Sequence, residues 1–118
     1  MYVVSSTDGI THGNCGDITL WVFNLGHGDA ELYEAVSSSQ GGIITLSYNA
    51  VWLNHRTNGS NSFGNSYLFP SNPWVNRDYP YTQTGFVTAS MKAWDHVGAP
   101  WPFGKDCVGY ENDSVIVT

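Results

Sequence analysis

Between Asn72 and Tyr81 the chain reads Asn-Pro-Trp-Val-Asn-Arg-Asp-Tyr-Pro-Tyr, which gathers three aromatic rings, two amides and an Arg–Asp pair within ten residues. That mixture suits a sugar. A pyranose offers an apolar C–H face that lies on Trp or Tyr, and hydroxyls that need amide, carboxylate or guanidinium partners. The prolines stiffen the segment and lower the entropy lost on binding. Trp74, Asn76, Arg77, Asp78, Tyr79 and Tyr81 are therefore the candidate ligand contacts. Trp101, held between Pro100 and Pro102 with Lys105 and Asp106 behind it, is a second stacking platform. The competing reading folds Trp74 and Tyr79 over the core as a lid and packs Trp101 beside Cys107. Trp21 and Trp52 lie within apolar runs and read as core.

Catalysis has fewer candidates. His12, His27, His55 and His96 are the groups that acid–base chemistry would most need, yet no two share a helical metal-binding spacing such as HExxH. Asp95 and His96 are adjacent, so on a strand they point to opposite faces. A ribonuclease would draw on Glu31, Glu34, His55, Arg56 and His96, and nothing in their spacing brings them together. A glycosidase needs two carboxylates about 5 to 9 Å apart, for which Glu31 or Glu34 with Asp78 or Asp95 supply the types. Asp8, Asp17, Asp29, Asp106 and Asp113 lie in turn-like contexts that suit calcium, but no DxDxDG loop exists. No catalytic residue, metal or cofactor is assigned. Binding is favoured over cleavage, because so short a chain has little depth for a catalytic cleft.

The 118 residues suffice for a single domain spanning 1–118. Hydrophobic residues make up 42% of the chain and charged residues 12%, so a core can form and the profile is not that of a disordered chain. Ten acidic against four basic residues give a net charge of −6, which repels a phosphate backbone and an anionic lipid surface alike. Nucleic-acid binding is disfavoured and no nucleic-acid partner is expected, and no apolar run is long enough for a membrane span. Polarity comes instead from Ser, Thr, Asn and Gly, as in extracellular β proteins that bind uncharged ligands.

Cys15 and Cys107 are the only cysteines and have no CxxC or Cys-His spacing. Their pairing closes a loop of roughly 90 residues, which the chain-entropy argument values at about 4 to 5 kcal/mol. A disulfide, with the sequons at Asn58 and Asn112, places the protein in a secreted, extracellular setting. Met1-Tyr2-Val3-Val4 is too short for a signal segment, so a mature form with an added Met1 is expected. Reduction is expected to lower the melting temperature and to loosen ligand binding.

Alternation supplies the elements. Ile18, Leu20 and Val22 interleave with Thr19, Trp21 and Phe23, bulky on both sides, which predicts a buried central strand. A turn at 24–29 leads to a second strand at 31–36, with a short helix capped by Asp29 as the alternative. Ile44 to Trp52 gives the clearest strand. Residues 55–65 read as an exposed loop around Asn58-Gly59, and residues 70–81 as irregular because of Pro70, Pro73 and Pro80. Residues 85–97 fit either period and are taken as strand, residues 98–104 as a stiff aromatic turn, and residues 114–118 as a last strand. The expected fold is all-β, a small antiparallel sandwich or open barrel of about six strands. One helix packed on an antiparallel sheet is the alternative.

In the general style of its Trp- and Asn-rich loops the chain resembles the small lectins of fungal fruiting bodies. The resemblance implies a class of function and carries no residue across. The expectation is a secreted lectin-like module that recognises neutral glycans or glycoproteins and is compatible with a homodimer. The alternatives are a small secreted ribonuclease or glycosidase, and a defence or toxin protein acting on membranes or host proteins.

Overall fold

The computed structural model describes residues 10–118, apart from the side chains of Thr11 and His12. Asp8 and Met1–Val4 lie outside the described residues, as does the His12 imidazole. The strands are β1 (Ile10–Gly13), β2 (Gly16–Gly26), β3 (Asp29–Val36), β4 (Ile43–Asn54), β5 (Ser60–Leu68), β6 (Trp74–Asp78), β7 (Gly85–Val97) and β8 (Lys105–Val117). They form two antiparallel sheets packed face to face, in the orders β1-β2-β3-β6 and β5-β4-β7-β8. We call these sheets A and B. Neither closes into a barrel, and no helix occurs among the described residues, which removes the helix-on-sheet alternative.

Period-two burial explains the core. Ile18, Leu20 and Val22 of β2, Ala30, Leu32 and Val36 of β3, and Val87, Ala89, Met91 and Ala93 of β7 all point between the sheets. Each fully buried Ile, Leu or Val contributes about 1.5–3 kcal/mol. The alternation in β3 is strict, so the helix considered for residues 29–36 does not form. Trp52 is core, as expected, but Trp21 faces outward and is only half-buried. Apolar character on both faces of β2 therefore reflects an outer aromatic row rather than a doubly covered strand.

Two segments expected to be irregular are edge strands. From Ser60 to Leu68 the chain pairs along β4, with Leu53 opposite Ser60 and Thr45 opposite Leu68. Only Phe63 and Tyr67 lean on the core. An edge strand takes its order from backbone pairing, so its Ser- and Asn-rich sequence shows no apolar alternation. Likewise Pro70, Pro73 and Pro80 flank β6 rather than interrupt it, and Trp74–Asp78 pairs with Val36–Leu32. The last strand begins at Lys105, nine residues before the expected Ser114.

Each end of the sandwich is laced differently. At one end lie the turn 14–15 and the segments 37–42, 69–73 and 98–104. There Cys15 and Cys107 are bonded with a Cα–Cα distance of 6.3 Å, joining the β1–β2 turn to β8. The Ser39 amide donates to the Cys15 carbonyl, and a Cβ at Gly16 would strike the Ser37 carbonyl, so this crossing requires glycine. At the other end the fully buried Asn54 donates to the carbonyls of Thr82 at 2.8 Å and Thr84 at 3.1 Å. Its Oδ1 accepts from the Arg56 and Thr57 amides, which ties the 55–59 turn to the 79–84 loop.

Candidate functional site

As a strand, β6 divides the residues that the sequence groups together. Trp74, Asn76 and Asp78 turn inward, while Val75 and Arg77 turn outward. Trp74 is 5% exposed and lies between Tyr48 and Tyr67, with ring centroids 5.0 and 5.5 Å away. Its faces are therefore occupied by protein, as in the lid reading, and it offers no stacking platform. Arg77 lies over the Tyr33 ring at 5.0 Å, next to a Trp21–Tyr33 stack at 5.2 Å and with Glu31 4.0 Å away. Tyr79 and Tyr81 are exposed near one end of the molecule, whose long dimension is 46 Å, and Trp101 is exposed at the other. The seven nominated residues do not converge on one site.

The inward set builds a buried acid cluster. Asn76 Nδ2 donates towards Tyr48 Oη at 3.0 Å, Asp78 Oδ2 at 3.2 Å and Glu34 Oε2 at 3.4 Å, and Tyr48 Oη donates to Asp78 Oδ2 at 3.2 Å. Glu34 is fully buried, and burial first, then the hydrogen bond and charge of Asp78, push its carboxyl up to about 9. Burial and the same carboxylates raise the Tyr48 phenol as well. Glu34 is thus protonated at neutral pH and shares its proton with Asp78. Both carboxyl groups contact the one Asn76 amide nitrogen, and Glu34 Oε1 is sealed from solvent without a hydrogen-bond partner among the described residues. The cluster ties β3, β4 and β6 together in the interior of the sandwich.

The two histidines named for a ribonuclease, His55 and His96, lie far apart. The His55 amide donates to the Phe86 carbonyl, whereas His96 lies ten residues further along β7, about 33 Å at the usual strand rise. His55 Nε2 is 2.9 Å from Thr88 Oγ1. His96 faces away from the buried Asp95, as expected, and lies beneath the 98–104 hairpin tip with Nδ1 2.6 Å from Asp106 Oδ1 and Nε2 2.6 Å from the Phe103 carbonyl oxygen. A carbonyl and a carboxylate only accept, so both ring nitrogens donate and the ring is an imidazolium. The hydrogen bond to Asp106 holds its pKa above the ordinary imidazole value. Among the described residues no three His, Cys, Asp or Glu side chains come together to hold a metal ion.

A broad concavity lies elsewhere, on the outer face of sheet B. The register aligns Val51, Ser90 and Asn112 in one row and Leu53, Thr88 and Ser114 in the next. These small side chains leave a shallow trough of about 560 Å³ between taller neighbours. On one flank Lys92 lies 5.3 Å from the Trp94 ring and 5.7 Å from the Tyr110 ring, both half-exposed. On the other, His55 and Phe86 pack at 5.3 Å. Hydroxyls, an amide and the apolar side chains of Val51 and Leu53 thus line a groove bordered by rings and one ammonium. The sequence carried a signal for this face, the alternation of Thr88, Ser90 and Lys92 with Val87, Ala89 and Met91, but alternation alone reads as a solvated surface. The chain matches no protein-family model, no curated protein and no solved structure.

Proposed function

We propose that the protein is an extracellular carbohydrate-binding module that takes a neutral glycan in the trough on sheet B. The observation that carries this reading is the row structure of that face. Ser90, Asn112, Thr88 and Ser114 offer uncharged donors and acceptors at the floor, while Tyr110 in the next row and Trp94 beyond it supply exposed ring surface beside the Lys92 ammonium. Hydroxyl-rich ligands need both, and a net charge of −6 does not penalise an uncharged one. The Cys15–Cys107 disulfide is compatible with an extracellular location. Of the residues first nominated for sugar contact, none lines this trough, so the ligand class is retained and the surface is moved.

The test is a glycan array followed by titration of the strongest hit against Tyr110→Ala and Asn112→Ala. Each substitution should weaken binding about tenfold, the effect of one lost ring contact or hydrogen bond at a binding surface. Trp74→Phe, inside the core, should leave the affinity unchanged. Retention of no glycan on the array, or unaltered affinity in both trough variants, removes the reading.

A further inference from the structure

The end of the sandwich that carries the disulfide presents four large apolar side chains to solvent. Leu68 and Phe69 are 75% and 67% exposed at the close of β5, and Trp101 and Phe103 are 80% and 73% exposed on the β7–β8 tip. Large apolar groups so exposed and so close together call for a partner. Leu68 is paired to Thr45, and Thr45 to His96, which holds the Phe103 carbonyl, so the two loops are about two strand spacings apart.

This end is stiff, and its connecting loops hold no ionisable side chain. The Asn72 side chain exchanges hydrogen bonds with Ser38 and reaches the Gly41 carbonyl, and the Gly98 amide donates to the Gly42 carbonyl, so segments 37–42, 69–73 and 98–104 are bound to one another. The Phe103 amide closes a turn on the Pro100 carbonyl, and a Cβ at Gly104 would strike the carbonyls of Val97 and Ala99. Pro70, Pro100 and Pro102 restrict the loops further. None of the connecting segments 14–15, 37–42, 69–73 and 98–104 contains a Lys, Arg, His, Asp or Glu, although the chain as a whole carries −6. The nearest ionisable groups stand at its base: Lys105 and Asp106 with His96 beneath the tip, and Asp17 beside Ser37, whereas the opposite end carries His27, Asp29, His55 and Arg56 in or beside its turns.

We infer that this end is a membrane-docking surface whose Trp101, Phe103, Leu68 and Phe69 side chains seat in the interfacial layer of an electrically neutral lipid bilayer. Aromatic rings are favoured at that depth, and an uncharged set of loops enters it without burying an ion. Rigid loops lose little entropy on docking. The acidic body selects among bilayers, because an anionic surface repels it and a zwitterionic one does not. Docking is peripheral, since the four side chains, three on loops and Leu68 at the end of β5, reach the interface and do not cross it. It is also separate from the glycan trough, which lies on a sheet face.

The probe is large unilamellar phosphatidylcholine vesicles, read by co-sedimentation and by the blue shift of Trp emission. The oxidised protein should pellet with these vesicles and pellet less with vesicles containing phosphatidylserine. Trp101→Ser with Phe103→Ser should reduce partitioning by about tenfold or more, since two apolar rings leave the bilayer. Leu68→Ser with Phe69→Ser, on the neighbouring loop, should also weaken it. Tyr81→Ser, at the opposite end, should not. Near-UV circular dichroism and retained glycan binding verify that each variant is folded. Absence of pelleting at millimolar lipid, or equal pelleting of wild type and both loop variants, overturns the inference. So does a concentration-dependent dimer abolished by the same substitutions in vesicle-free solution without any lipid binding, which would assign these side chains to self-association.

Discussion

Replacing Glu34 by Gln should shift stability in favour of the variant relative to wild type progressively as pH rises. In the folded state the Glu34 carboxyl is raised from its ordinary value of 4.5 to about 9 by burial and by Asp78. The folded protein therefore retains a proton that the unfolded chain releases above the ordinary carboxylate range. Stability must then fall as pH rises between those two values, at about 1.4 kcal/mol per pH unit, and level off beyond the upper one. Gln carries the same shape without a titrating proton, and its amide can donate to Asp78 as the protonated carboxyl does. The stability difference between Glu34→Gln and wild type should thus widen by about 4 kcal/mol from about pH 5 to about pH 8. Denaturant titrations of both proteins by Trp fluorescence across that range measure it directly, because every other titrating group is common to the pair. Parallel stability profiles, or a variant that loses ground as pH rises, would show that Glu34 is ionised in the fold and refute the shared-proton cluster.

Three further outcomes are expected. The His96 imidazolium should titrate above the ordinary imidazole range, and its hold on the 98–104 tip should be present below that range and lost as pH rises through the elevated value; amide exchange at Phe103 and Gly104 should accelerate accordingly, and Asp106→Asn should move the His96 titration downward by NMR. Asn54→Leu removes the hydrogen bonds that join the 55–59 turn to the 79–84 loop and should cost about 3 kcal/mol in denaturant unfolding, while a cost under about 1 kcal/mol would mean that the loops are held by other contacts. Cys15→Ser with Cys107→Ser should lower stability by at most about 5 kcal/mol through a loop of 92 residues and leave glycan affinity unchanged, because Cys107 lies away from the trough; a matching loss of affinity would restore the disulfide to the binding site.

Whereas β3 and β7 read as strands with a helix still open for each, the pairing of Cys15 with Cys107, the all-β class and the strands β2 and β4 were legible in the amino-acid order. Local rules suffice there. Two cysteines have one partner each, and a core-facing strand must alternate apolar and polar residues if one face is buried. The edge strands β5 and β6 were not legible, because their order comes from the backbone of β4 and β3 rather than from their own side chains. Composition likewise nominated Asn72–Tyr81 as a site, but sequence proximity assumes a loop that can gather its side chains. Pairing with β3 makes it a strand, and a two-residue period sends Trp74, Asn76 and Asp78 into the core while Arg77 faces solvent. The trough on sheet B was hidden for the converse reason: Val51, Ser90 and Asn112 are far apart in the chain and meet only through the register of three strands. The sequence alone thus determined which residues are bonded or buried within one element. Which side chains share a surface was decided by non-local strand pairing, which depends on the whole fold at once.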